Sequence, residues 1–142
     1  MSDQNLSMPN APCWKKLLDL EIEKVNALVR PITKLNNTNV AVTANTNIVT
    51  GGSSTIAPLQ ASNAPCIFRI YVVLGTSGVF SVQRRVSAGG FVTENLNQGV
   101  ALTASAAYMF DILVDTNEYI DFQTTVTGTL LKLLVVEKDD AK

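Results

Sequence analysis

The chain contains no histidine, so the side chain most used for proton transfer near neutral pH and for zinc ligation is missing from every arrangement it can make. Ser-His-Asp and Cys-His nucleophile pairs are thereby excluded. Asp111 and Asp121 remain, on what read as consecutive strands, and two facing carboxylates are the equipment of glycoside hydrolysis. The same acids alternate with Ile112 and Ile120, which makes them outward-facing strand positions in the simpler reading. Asp115-Thr116-Asn117-Glu118 gathers oxygen-bearing side chains, yet it lacks the stepwise ligand spacing and the glycine of a calcium loop and reads as a solvated turn. Arg69, Arg84 and Arg85 could form a basic spot beside Tyr71, of the kind that stacks bases or binds sugars and carboxylates. Arg84 shares the parity of Phe80 and Val82, which sends it inward, to a carboxylate or to the sheet rim. Gly51-Gly52 and Gly89-Gly90 lack the strand-to-helix setting of a phosphate loop and read as turns. Cys13 and Cys66 read as two buried thiols or as one bridge between an N-terminal helix and the sheet. No catalytic residue, metal site or cofactor is expected from these residues, and the chain is expected not to be an enzyme.

Composition narrows the partners. The 142 residues are 46% apolar and 16% charged, the balance of one folded domain with a small appendage. A formal charge of −1 supplies no field to neutralise phosphates or anionic lipid, so neither nucleic acid nor a membrane is expected as a partner. The polar, proline-bearing start of the sequence does not read as a secretory leader, and no apolar run has the length of a membrane helix.

The elements that must position these residues follow from periodicity. After a segment over 1–11, Trp14, Leu18, Ile22, Val25 and Val29 recur at helical spacing within 12–31. Pro12 suits the first turn, and Arg30-Pro31 stops the helix. That stripe is expected to be the contact with another copy or with a partner, because the rest of the chain offers no second helix. Residues 32–65 shift to Asn, Thr, Ser, Gly and Pro with weak apolar alternation, and read as an arm or as edge strands. Over 66–137 strand-length runs follow one another through short turns: Cys66 to Leu74, Val79 to Val86, Phe91 to Leu96, Ala106 to Val114, Glu118 to Val126 and Leu130 to Glu137. The first two read as a hairpin that continues into a meander. The last, apolar on both faces except at Lys132, is expected to be central, covered twice or at a subunit contact. A charged tail closes the chain at 138–142.

Short strands without intervening helices predict a mainly β chain, an antiparallel β-sandwich that is jelly-roll-like and carries one N-terminal amphipathic helix. The runs Phe68-Arg69-Ile70-Tyr71-Val72 to Gly78-Val79-Phe80-Ser81-Val82, Leu102-Thr103-Ala104 to Tyr108-Met109-Phe110-Asp111, and Asn117-Glu118-Tyr119-Ile120-Asp121-Phe122-Gln123 resemble the strand-and-turn grammar of small β-sandwich structural proteins of phages and archaeal viruses. That resemblance implies a virion location and a role as a decoration, minor capsid, fibre-head or other appendage protein. It also implies self-assembly, with a trimer favoured, and binding to a shell or capsid protein. The alternative is a carbohydrate- or ligand-binding module, for which Trp14, Tyr71, Tyr108 and Tyr119 would supply stacking surfaces.

Overall fold

The computed structural model describes residues 31–53, 55–86 and 89–138. The predicted helix and its stripe of Trp14, Leu18, Ile22, Val25 and Val29 lie outside the described residues, as does Cys13. Among these residues eight strands are formed: β1 Ile32–Val42, β2 Leu59–Gln60, β3 Cys66–Leu74, β4 Phe80–Val86, β5 Val92–Asn95, β6 Ala107–Val114, β7 Glu118–Thr124 and β8 Gly128–Lys138. They make two antiparallel four-stranded sheets, in the orders β1-β8-β3-β6 and β2-β7-β4-β5, whose inner faces share one apolar core.

Alternation builds that core. Cys66, Phe68, Ile70, Val72 and Leu74 of β3 are buried, as are Leu130, Leu133 and Val135 of β8, and they meet Phe80, Val82, Ile120 and Phe122 from the second sheet. The Phe80 and Phe122 rings stack at 5.6 Å between centroids, an arrangement that adds about 1 kcal/mol to their area burial. β8 lies between β1 and β3, the central position that is one of the alternatives its two apolar faces allow.

The expected hairpin of β3 with β4 does not form, whereas the turn that continues it, from β4 into β5, does. β3 pairs with β6 and β8, whereas β4 pairs with β5 and β7. The connection from Leu74 to Phe80 carries the chain from one sheet to the other. Its glycines serve close approach: a Cβ at Gly75 would lie 2.7 Å from the Thr129 carbonyl oxygen, and one at Gly78 would lie 2.6 Å from a Val126 methyl. Only β4 to β5 is a hairpin among neighbouring described strands, because every other short connection crosses between the layers.

The Asn/Thr-rich segment supplies an edge strand to each sheet. β1 pairs along β8 with a register shift between Thr33 and Leu35, and β2 pairs with β7 through Leu59 and Gln60. Between them, Asn45 N–H donates to the Thr124 carbonyl at 2.8 Å and Ile48 N–H to the Phe122 carbonyl at 2.8 Å. The connection is thereby held along the edge of β7 that β2 also pairs with.

Candidate functional site

The two aspartates singled out by spacing stand in different sheets and do not face each other. Asp111 is on β6, on the outer face of the first sheet, in a two-point pair with Arg69: Nε donates to Oδ1 at 2.8 Å and Nη2 to Oδ2 at 2.9 Å. Asp121 is on β7, on the outer face of the second sheet, and is fully buried under the β1–β2 connection. Its carboxylate accepts from Val49 N–H at 2.7 Å and Thr50 N–H at 3.2 Å. One acid is a surface partner and the other a loop anchor, and neither has a second carboxylate to work with. In the Asp115–Glu118 turn, Glu118 accepts from the Asp115 N–H at 2.8 Å and from Arg84 at 3.1 Å. No group of three or more potential metal ligands occurs among the described residues.

The three arginines are likewise separated. Arg69 belongs to the first sheet. Arg84 points to the inner side at the rim, where it binds Glu94 at 2.8 Å, Glu118 at 3.1 Å and the Leu113 carbonyl at 2.7 Å, the arrangement its parity with Phe80 and Val82 predicts. Arg85 points the other way. Of the tyrosines, Tyr71 lies on the outer face of the first sheet. Tyr108 stacks on Phe110 at 6.2 Å and accepts the Thr103 N–H at 2.9 Å, and hydrogen bonding by Thr103, its side chain first and its backbone second, lowers the Tyr108 pKa from the ordinary tyrosine value. Tyr71 neighbours Arg69, and Tyr119 meets Arg85.

That meeting is the candidate site. The Arg85 guanidinium sits 4.9 Å from the Phe91 ring centroid and 5.2 Å from that of Tyr119, within the range in which a ring face attracts a cation. Register explains it: Arg85 is opposite Tyr119 across the β4–β7 ladder, and Phe91 immediately precedes β5, which pairs with β4 on its other side. The three side chains line a cleft of about 760 Å³ together with Asn47, Thr50, Ser53, Thr55, Ile56 and Pro58 of the β1–β2 connection. Among the described residues no carboxylate or other hydrogen-bonding group reaches the Arg85 guanidinium, and its Nε is buried with no partner. Buried polar groups normally find one. The cleft owes its shape to Asp121, which fixes Val49 and Thr50, and to Gln123, whose amide donates to the Asn47 side-chain oxygen at 2.7 Å. Sequence reading grouped Arg85 with the wrong arginines, since cross-strand register decides its neighbours and is not written in any local pattern.

A second buried carboxylate orders the β2–β3 connection. Glu137, only 2% exposed, faces inward from β8 and accepts from Ser62 N–H at 2.8 Å and Asn63 N–H at 2.9 Å, with Lys34 Nζ at 3.3 Å.

Electrostatics at the Arg69–Asp111 pair give a pH prediction. The Arg69 hydrogen bonds, and then its charge, hold the Asp111 carboxyl below its ordinary range. A carboxyl depressed in the folded state contributes stability above its unfolded pKa and loses it as pH falls through the folded value. The pair is exposed, so this contribution is small. Arg69→Ala is expected to move the Asp111 titration up toward the ordinary carboxylate range in a carboxyl-carbon NMR titration. An unmoved midpoint would show that the pair is not formed in solution.

No helix among the described residues is long and apolar enough to cross a membrane. No family model, curated protein or solved structure matches the chain.

Proposed function

We propose that this chain is a non-enzymatic structural protein of a virus particle, a decoration, minor capsid or appendage protein that works by self-association and by binding a shell protein. The strand orders β1-β8-β3-β6 and β2-β7-β4-β5 support reading the sandwich as a jelly roll, an architecture used by viral capsid proteins, lectins and cupins. A cupin's histidine metal site is not available to a chain without histidine.

The observation that carries the assembly reading is the exposed edge at β6. Natural sheets blunt their edges with short strands, bulges, prolines or lysines. β1 has a register shift and a positive φ of 54° at Asn39, and β5 and β2 are short. β6 has none of these devices: it runs in unbroken register from Ala107 to Val114 and pairs only with β3 among the described residues. Its outward side chains Met109, at 52% exposure, and Leu113, at 59%, flank Asp111, whose pair with Arg69 crosses the face, and Tyr71, Ile67, Leu134 and Val136 lie in register beside them. The outer face of an antiparallel sandwich is ordinarily polar. An open backbone edge next to exposed apolar side chains is best covered by another β edge with the same character, and a second copy of this chain offers one. Pairing of β6 with β6 is isologous and closes as a dimer, so the trimer favoured from sequence requires a further, heterologous contact.

Sedimentation at micromolar concentration is expected to show an oligomer, and the paired substitution Met109→Lys with Leu113→Lys, at exposed positions, is expected to give a folded monomer. A monomeric wild-type chain, or an oligomer indifferent to both lysines, would overturn the contact. Density-gradient fractionation of particles from the source culture tests the particle role, for which the chain must travel in the particle band.

A carbohydrate- or ligand-binding module is the second reading. It draws on the Arg85 cleft.

A further inference from the structure

We propose that the cleft beside Arg85 is a binding site for a carboxylate-bearing saccharide, a sugar of the uronic or sialic acid type. The inference specifies the ligand of the second reading and does not depend on the β6 contact.

The argument begins with a charge that lacks its complement. Arg85 brings a guanidinium into partly desolvated surroundings without an ion pair or hydrogen bond among the described residues, whereas Arg69 and Arg84 each have their acids. A partly buried cation without a counter-charge costs free energy that an anionic ligand would recover. Phe91 and Tyr119 lie over the guanidinium, which leaves in-plane N–H donors as the groups able to engage a ligand. In-plane donors match a planar carboxylate, which accepts two parallel bonds.

The other walls select what the carboxylate is attached to. Thr50, Ser53, Thr55 and Asn47 supply neutral hydroxyl and amide groups. Asn47 spends its side-chain oxygen on Gln123, so its amide nitrogen remains to donate. Such groups pair with sugar hydroxyls, and Ile56 with Pro58 gives an apolar strip for a ring's C–H face. Among the described residues Arg85 is the only charged one lining the cleft. A single cation suits one carboxylate per sugar and does not suit a polyphosphate or nucleic acid, which call for several.

The test is a glycan array in which each neutral glycan is paired with its uronate- or sialate-bearing counterpart, followed by calorimetric titration of the full chain with glucuronate, N-acetylneuraminate, glucose and inorganic phosphate. The acidic sugars are expected to bind about tenfold or more tightly than neutral ones, the range of a charge-assisted hydrogen bond, and Arg85→Gln is expected to remove that difference. Ile56→Asp, at a position 53% exposed and away from the arginine's own packing, places a competing carboxylate in the cleft and is expected to abolish binding in a folded protein. It decides the matter if Arg85→Gln disturbs folding. Equal binding of neutral and acidic glycans, phosphate binding as tight as glucuronate, full binding by either variant, or no acidic glycan bound at all would overturn the proposal.

Discussion

Replacing Asp121 by alanine is expected to lower the free energy of unfolding by about 3 to 5 kcal/mol, since hydrogen bonds to a charged group contribute about 1.5–3 kcal/mol each and their loss leaves backbone donors unpaired. The carboxylate is fully buried and accepts from Val49 and Thr50, far away along the chain. In the variant those N–H groups have no acceptor and no water of their own, so the β1–β2 connection should lift from the sheet. Limited proteolysis should then cut near Gly51-Gly52 at protease levels that leave the wild type whole. Asp121→Asn, which retains a carbonyl acceptor, should lose about half as much. Asp111→Ala is the control: the same residue type at an exposed site should leave the urea midpoint nearly unmoved. Equal effects from the two alanine variants would mean that Asp121 does not hold the connection.

Glu137→Leu is the second large effect, expected at about 3 kcal/mol or more, because removing one member of a buried charged network leaves its partners stranded. Leucine fills similar volume and sits in phase with Leu133 and Val135, so packing is preserved and the cost falls on the Ser62 and Asn63 N–H groups and on Lys34. Glu137→Gln, able to accept one of the two bonds, should fall between. A urea midpoint unchanged in the leucine variant would show that water or another acceptor takes the carboxylate's place.

These anchors mark where the sequence was legible. Alternation from Cys66 to Leu74 told which side chains are buried, because a strand with one covered face writes its period directly into the chain. Apolar residues on both faces left the last strand central, covered twice or at a subunit contact, and its place between β1 and β3 is the first of these; the inward turn of Arg84 followed from its parity with Phe80 and Val82. Glu137 did leave a signal, an acid in phase with core residues, which implies a buried carboxylate with partners to be found. Asp121 left none, since its acceptors' partners are backbone groups reached only after the connection folds over the sheet. The pairing of strands was misread for a related reason. A short glycine-bearing connection such as Gly75 to Gly78 serves equally as a hairpin turn or as an arch between layers, and the choice is made by how the two sheets share the core.

The β6 edge and the Arg85 cleft lie on opposite outer faces of the sandwich, one on each sheet. Occupying the first therefore leaves the second open, and an assembly built through β6 would present one cleft per copy, all fixed at the spacing of the subunits. Binding of one sugar would hold the neighbouring clefts at high effective concentration over the same polymer or cell surface, a gain that can reach about 10²–10⁴ in avidity without any new contact. A single site too weak to retain free monosaccharide would then suffice to hold a whole particle to an acidic glycan coat.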